Sequence, residues 1–126
     1  MTAAAESKSA DSIRHLTHLA REFVEQRNWQ AFQSPKNLSM GMIVEAAELV
    51  EHFQWLTESA SRDIDAKQRH EVGEELADIL VFLLRIAEEL EIDLGSATVE
   101  KIKKNCVKYP LSGSERGPLE VKRPNS

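Results

Sequence analysis

The sequence has one cysteine, Cys106, so no internal disulfide framework can form and the fold must rest on packing. That cysteine reads as a small apolar residue rather than a nucleophile, in a chain suited to a reducing cytoplasm. Long apolar runs are also missing. None approaches the roughly 20 residues that span a bilayer, and the first residues lack a secretory apolar core, so no membrane role is expected. Glycine is scarce, and neither a phosphate-cradling Gly-x-x-x-x-Gly-Lys loop nor a Gly-x-Ser-x-Gly nucleophile elbow occurs. Neither His52 nor His70 follows a glutamate by three, which removes a ferritin-like di-iron site. With a formal net charge of −5, broad binding of nucleic acid polymers is not expected. An anionic ligand would need a metal to reverse the local sign of its site.

Lysine and arginine are absent between Lys36 and Arg62, and again between Arg69 and Arg85. Those two stretches hold Glu45 with Glu48, and Glu75 with Asp78. Residues three apart on a helix are neighbours on one face, about 5–6 Å apart at Cβ. Two helices side by side would aim four carboxylates into one small space. Acidic pairs of this spacing also occur at Glu22/Glu25 and Glu88/Glu91, so spacing alone is weak. The central pairs differ in lacking compensation: Arg21 stands one turn before Glu25, and Glu88 and Glu89 share Arg85. Crowded like charges are unfavourable, increasingly so away from water. A solvated acidic face is the plain alternative; carboxylates beside apolar faces favour a cation site. Oxygen ligands without histidine or cysteine suit Mg²⁺ or Mn²⁺ over zinc or copper.

At 126 residues the chain is one domain by size. Residues 1–11 are small and polar and read as a disordered lead-in. A first helix, capped by Asp11 or Ser12, carries Ile13, Leu16, Ala20 and Phe23 and ends near Arg27. A polar loop with two aromatics, Trp29 and Phe32, leads past Pro35 to Asn37, a plausible cap. The second helix is expected from Leu38 or Ser39 to about Thr57, with apolar residues over nearly half its circumference, too many for one surface stripe. Trp55 would fall two turns beyond Glu48 on nearly the same line. Gly41 within this helix costs about 1 kcal/mol against alanine, and a close helix approach would explain it. A third helix, Ala66 to about Leu90, carries Val72, Leu76, Ile79, Leu83, Ile86 and Leu90 as a seam, with Phe82 one turn beyond Asp78. A fourth, capped by Asp93, carries Val99, Ile102, Cys106 and Tyr109 and stops at Pro110. The pattern predicts an all-α four-helix bundle over 12–110 and a flexible tail over 111–126. Because small domains bury a limited share of their surface, the wide apolar arc predicts a homodimer or homotetramer.

Four segments in order resemble the MazG-like nucleotide pyrophosphohydrolases: Pro35-Lys36-Asn37-Leu38; Glu45-Ala-Ala-Glu48-Leu-Val-Glu51-His-Phe-Gln-Trp55; Glu74-Glu75-Leu-Ala-Asp78-Ile-Leu; and Lys101-x-x-x-Asn105-x-x-Lys108-Tyr109-Pro110. The sequence looks most like the small dCTP-pyrophosphatase-type members of that all-α superfamily. The resemblance implies Mg²⁺-dependent hydrolysis of a nucleoside triphosphate between the α and β phosphates, with dCTP or modified cytosine nucleotides as substrates and nucleotide-pool house-cleaning as the role. It implies Glu45, Glu48, Glu75 and Asp78 as metal ligands and catalytic groups, with water as the nucleophile. It implies Trp29, Trp55 and Phe82 as pocket residues for the base, and Lys36, Asn37, Lys101, Asn105, Lys108 and Tyr109 as contacts to phosphate or sugar. Relatives often carry tyrosine where Phe82 stands, and the segment after Pro110 departs from their basic pattern. The rival readings are a non-catalytic bundle that binds nucleotides or a partner protein, and an enzyme of the same class acting on dUTP or damaged purine nucleotides.

Overall fold

The computed structural model describes residues 12–112. The expected lead-in, and residues 113–126 of the expected tail, lie outside the described residues. The described residues are helical, with no strand among them. They are α1 (Ile13–Gln26), a 3₁₀ turn (Gln30–Phe32), α2 (Pro35–Glu51), a one-turn α3 (Glu58–Ser61), α4 (Ala66–Glu89) and α5 (Leu94–Lys108). The chain divides into two units at Glu91/Ile92, the first holding α1 to α4 and the second α5. None of the described helices is long and apolar enough to cross a membrane.

Each α-helix begins with a side chain that accepts a hydrogen bond from a backbone N–H, satisfying one of the donors a helix start leaves open. Ser12 accepts from His15, Ser34 from Asn37, Thr57 from Ala60 and Asp93 from Ser96. Asp65 accepts from Gln68, whose side chain returns a bond to the Asp65 backbone as a capping box. The second helix starts earlier than the sequence pattern suggests. Ser34 is extended (φ −68°, ψ 150°), as a residue before proline must be, and Pro35 takes the first helical position, where its missing N–H is no loss. Asn37 therefore lies inside the first turn rather than capping it. The same helix ends at Glu51, not Thr57. His52, Phe53 and Leu56 tighten into i→i+3 bonds, and Thr57 is committed as the extended cap of α3. Trp55 consequently sits in a turn, off the line of Glu48.

Within the first unit α4 is the common neighbour, packing against α2 and against α1. The buried apolar residues among those described are Ala20, Val24, Leu38, Leu84 and Ala87. Full burial of a leucine such as Leu38 or Leu84 is worth about 1.5–3 kcal/mol. The expected seam of α4 is only partly covered: Val72, Ile79 and Ile86 are half-buried and Leu76, Leu83 and Leu90 exposed, while full burial falls on Leu84 and Ala87. Arg85 is buried with them, since its guanidinium is surrounded by partners. It donates to Glu88, to Glu89 (2.8 Å) and, across to the loop before α2, to Gln33 (3.1 Å). Arg21 completes the network. It reaches across from α1 to Glu88, with Nη2 at 2.7 Å, instead of serving Glu25 on its own helix.

Gly41 is explained by its neighbour. A Cβ placed there would lie 2.7 Å from Cε1 and Cζ of Phe82, so α2 and α4 approach with an aromatic ring over the bare backbone. Alanine at 41 would gain about 1 kcal/mol in helix propensity but must push that ring aside. Gly41→Ala is expected to stabilise a Phe82→Leu background by at least about 1 kcal/mol more than it does the parent chain. A double-mutant cycle by urea denaturation measures this coupling, and additive effects would rule out the contact.

Candidate active site

The acidic pairs of α2 and α4 face each other. Glu45, Glu48 and Glu75 each offer one carboxylate oxygen, and these oxygens lie within 4.8 Å of one another. Glu45 and Glu75 are half-buried, and one oxygen of each, Oε2, is enclosed without a hydrogen-bond partner among the described residues. An enclosed carboxylate oxygen without a donor is a costly arrangement, so the cluster is incomplete as a purely protein structure. The ion pairs among the described residues bring no lysine or arginine to it. Its positive neighbour, when protonated, is His52 just past α2, with Nε2 at 3.9 Å from Glu75. Oxygen donors, excess negative charge and two unsatisfied oxygens match the requirements of a hard divalent cation.

The electrostatics agree. Burial, and then Glu48 by hydrogen bond and by charge, push the Glu45 carboxyl up to about 7, with further contributions from Asp78 and Glu75. Glu75 is raised as well, first by burial and then by Glu48, with partial relief from Glu45 and His52. Asp78 is exposed and outside the three-oxygen cluster, yet its charge is felt by Glu45. Three of the four expected carboxylates therefore converge, and the fourth stands at the rim.

A cavity of about 250 Å³ adjoins the carboxylates. Glu45 and Asp78 line it together with Trp29, Phe82, Gln33 and Arg85, and apolar side chains complete its walls. Trp29 packs edge-on to Phe23, with ring centroids 5.7 Å apart, and Phe23 in turn lies under the Arg27 guanidinium. Asn28, in the left-handed region (φ 55°), turns the chain out of α1 so that Trp29 can fold back. The cavity thus gathers Trp29 and Phe82 but not Trp55, which is 87% exposed. Lys36 and Asn37 are exposed on the first turn of α2, where Asn37 donates its side-chain amide to Phe32 O (3.4 Å). Lys101, Asn105, Lys108 and Tyr109 lie on or at the end of α5 in the second unit, with the Lys108 ammonium 5.3 Å from the Tyr109 ring centre.

Two groups in this region gain their partners only through the fold. His52 follows Glu48 by one turn, but its partner Glu75 is on another helix. Gln33 is an ordinary loop residue until Arg85 is brought to it from α4.

The raised carboxyl has a definite consequence for stability. Between pH 4.5 and about 7 the folded chain holds a proton on Glu45 that the unfolded chain has released, so this carboxyl's contribution to stability is fully present below 4.5 and is lost as pH rises through about 7. In EDTA, the parent chain is expected to lose Tm relative to Glu45→Gln on going from pH 5 to pH 8, and Mg²⁺ or Mn²⁺ at pH 8 should restore it. Thermal melts followed by circular dichroism test this, and parallel pH profiles for the two chains would refute it.

Comparison with known proteins places this geometry. Residues 42–117, more than half of the chain, match the MazG-like family. Mouse dCTP pyrophosphatase 1 is 33% identical over 102 residues, covering 79% of this chain and 60% of its own. The human dCTP pyrophosphatase 1 is 33% identical over 101 residues, covering 79% and 59%. The chain therefore spans about 60% of the length of the curated relatives it matches. A crystal structure of a pyrophosphatase from Archaeoglobus fulgidus superimposes with a TM-score of 0.73 at 36% identity, covering 78% of this chain and 92% of that one. With paired carboxylates on facing helices and a family match that includes both of them, the chain belongs to the MazG-like family.

Proposed function

We propose that this protein is a Mg²⁺-dependent nucleoside triphosphate pyrophosphohydrolase acting on dCTP or modified cytosine nucleotides to give a nucleoside monophosphate and pyrophosphate. The observation that carries this reading is the carboxylate cluster with two unpartnered enclosed oxygens, opening on an aromatic-walled cavity. The names of the curated relatives support the substrate class.

Glu45, Glu48 and Glu75 would hold the divalent cation, with Asp78 at the rim completing its surroundings. When bound, such an ion neutralises charge on the phosphate oxygens and makes attack by water feasible at neutral pH. The chain's own groups do the rest. A water oxygen bonds to the α-phosphorus, the bond from that phosphorus to the oxygen bridging to the β-phosphate breaks, and pyrophosphate leaves with the electron pair. Glu48, which lies against both Glu45 and Glu75, orients the water or accepts its proton. Trp29 and Phe82 hold the base, a stacking contribution of about 1–3 kcal/mol. Lys36, Asn37, Trp55, Lys101, Asn105, Lys108 and Tyr109 are assigned to phosphate, sugar or base by the family pattern. Incubation with dCTP and Mg²⁺ is expected to yield dCMP and pyrophosphate, and EDTA should stop it. Glu48→Gln and Asp78→Asn should each lower kcat at least 100-fold with the helical circular dichroism spectrum retained. Release of dCDP and orthophosphate, or unchanged turnover in either variant, would defeat the assignment.

We also infer that the working form is a homodimer or homotetramer. A cavity of about 460 Å³ along α1 and α4 is lined almost wholly by apolar side chains, including Leu19, Phe23 and Val81, which are 44–47% exposed. On α2, Met40, Ile43, Val44 and Val50 are 55–62% exposed. Contiguous apolar surface of this kind marks an interaction site. Light scattering coupled to gel filtration should give a multiple of the 14.2 kDa chain mass, and a monomer at micromolar concentration would overturn the inference.

A further inference from the structure

The cavity beside the carboxylates has one polar corner whose chemistry is fixed by a partner behind it. Gln33 is half-buried there, at the end of the 3₁₀ turn, where its backbone N–H bonds to Gln30 O (3.1 Å). Its side-chain carbonyl accepts from Arg85 Nε at 3.1 Å. A guanidinium carries only donors, so the amide end facing Arg85 must be oxygen, and the NH₂ is forced to the other side. Arg85 is itself immobilised, being 4% exposed and bonded to Glu88 and Glu89, while Arg21 grips Glu88 from α1. The Gln33 nitrogen has no hydrogen-bond partner among the described residues. Gln33 lines the cavity, so its corner offers a donor held in one sense, with no acceptor for it among the described residues.

The other donors in the walls are the Trp29 indole N–H and the Arg85 guanidinium, of which Arg85 is already committed to Gln33, Glu88 and Glu89. Trp29 and Phe82 offer faces and edges that any base can stack on, and Phe82 lacks a hydroxyl. Glu45 and Asp78 are engaged in the carboxylate cluster and its rim. A cavity of about 250 Å³ is smaller than the roughly 300–1,000 Å³ that encloses a whole drug-sized ligand, and suits a single ring system with the remainder extending towards the carboxylates.

We propose that Gln33 is a specificity-determining residue that reads the acceptor edge of the base, favouring cytosine over uracil, with Arg85 as the positioning residue that sets the polarity of its amide. The two pyrimidines differ at N3 and at the 4-position: cytosine has an N3 acceptor and a 4-amino donor, whereas uracil and thymine have an N3 hydrogen and an O4 acceptor. With the Gln33 nitrogen placed opposite N3, a donor that cannot turn round bonds to cytosine and opposes uracil. A site built to hydrogen-bond one pattern rejects the other because a buried donor is then left unpaired. A substituent at C5 leaves N3 and O2 unchanged, so modified cytosines are read in the same way.

This inference rests on the pyrophosphohydrolase reading, and the test separates the two. Gln33→Glu keeps the shape and the bond to Arg85 but replaces the donor by an acceptor. In steady-state assays with Mg²⁺, the parent chain is expected to prefer dCTP to dUTP in kcat/KM. Gln33→Glu should lower that ratio at least tenfold, chiefly through KM, with 5-methyl-dCTP falling in parallel with dCTP. Gln33→Leu, which removes the donor without reversing it, should lower the ratio less. A general loss of packing would depress dCTP and dUTP together and leave the ratio unmoved. A ratio unchanged within twofold in Gln33→Glu, with dCTP still hydrolysed to dCMP and pyrophosphate, overturns the role of Gln33 alone. No pyrophosphate from any triphosphate with the parent chain overturns the enzymatic reading beneath it.

Discussion

Repulsion among Glu45, Glu48 and Glu75 is the constraint on which the rest of the first unit depends. Two helices could pack more favourably with almost any other residues at these positions. Instead α2 and α4 bring three carboxyl groups together, enclose an oxygen of two of them without a donor, and leave the balance to whatever enters. The surrounding structure accommodates that unfavourable centre. The Phe82 ring seats on Gly41, both long helices begin at firm caps, and the last turns of α4 are locked by Arg85 and its partners. The strain is confined to the place where a ligand can relieve it.

Charge is distributed with the same economy. Where carboxylates serve the architecture, arginines meet them: Glu88 is held well below the usual carboxylate range, chiefly by the hydrogen bond from Arg21, with Arg85 adding to it. At the candidate site no arginine or lysine among the described residues pairs with Glu45, Glu48 or Glu75, and Glu45 and Glu75 are pushed the other way, first by burial. Two acidic groups on one helix, Glu75 and Glu88, thus differ in character, the one through burial and a like-charged neighbour, the other through its arginine partners.

The helical architecture was legible in the sequence because period, caps and Pro110 all spoke locally. So was the acidic centre, since a shortage of lysine and arginine along two stretches can be counted without coordinates. What escaped depended on longer range or on competition between local signals. Asn37 is as good a cap as Ser34, and only the proline between them decides. The pairing of Arg21 with Glu88 spans 67 residues, and a helix wheel offers Glu25 instead. Which apolar residues of α4 are fully enclosed was not legible, because leucines occupy several faces and Leu84 and Ala87, beside the buried Arg85, are the ones covered. Trp55 follows the same lesson: a turn of six residues removed it from the line that helical extrapolation drew. The roles assigned to α5 rest on sequence pattern, since Lys101 and Lys108 are solvent-exposed there.

The Arg21–Glu88–Arg85 chain also bears on how such a cavity can diversify. Arg21 is 43% exposed at its side chain and lies outside the cavity lining, yet three hydrogen-bonded links, through Glu88 and Arg85, join it to the amide at the cavity's polar corner. Drift at a surface position on the first helix can therefore alter how that corner is held while every residue lining the cavity stays the same. Selectivity in this lineage would then have an outer adjustment, reachable by neutral substitution and hard to trace from pocket residues alone.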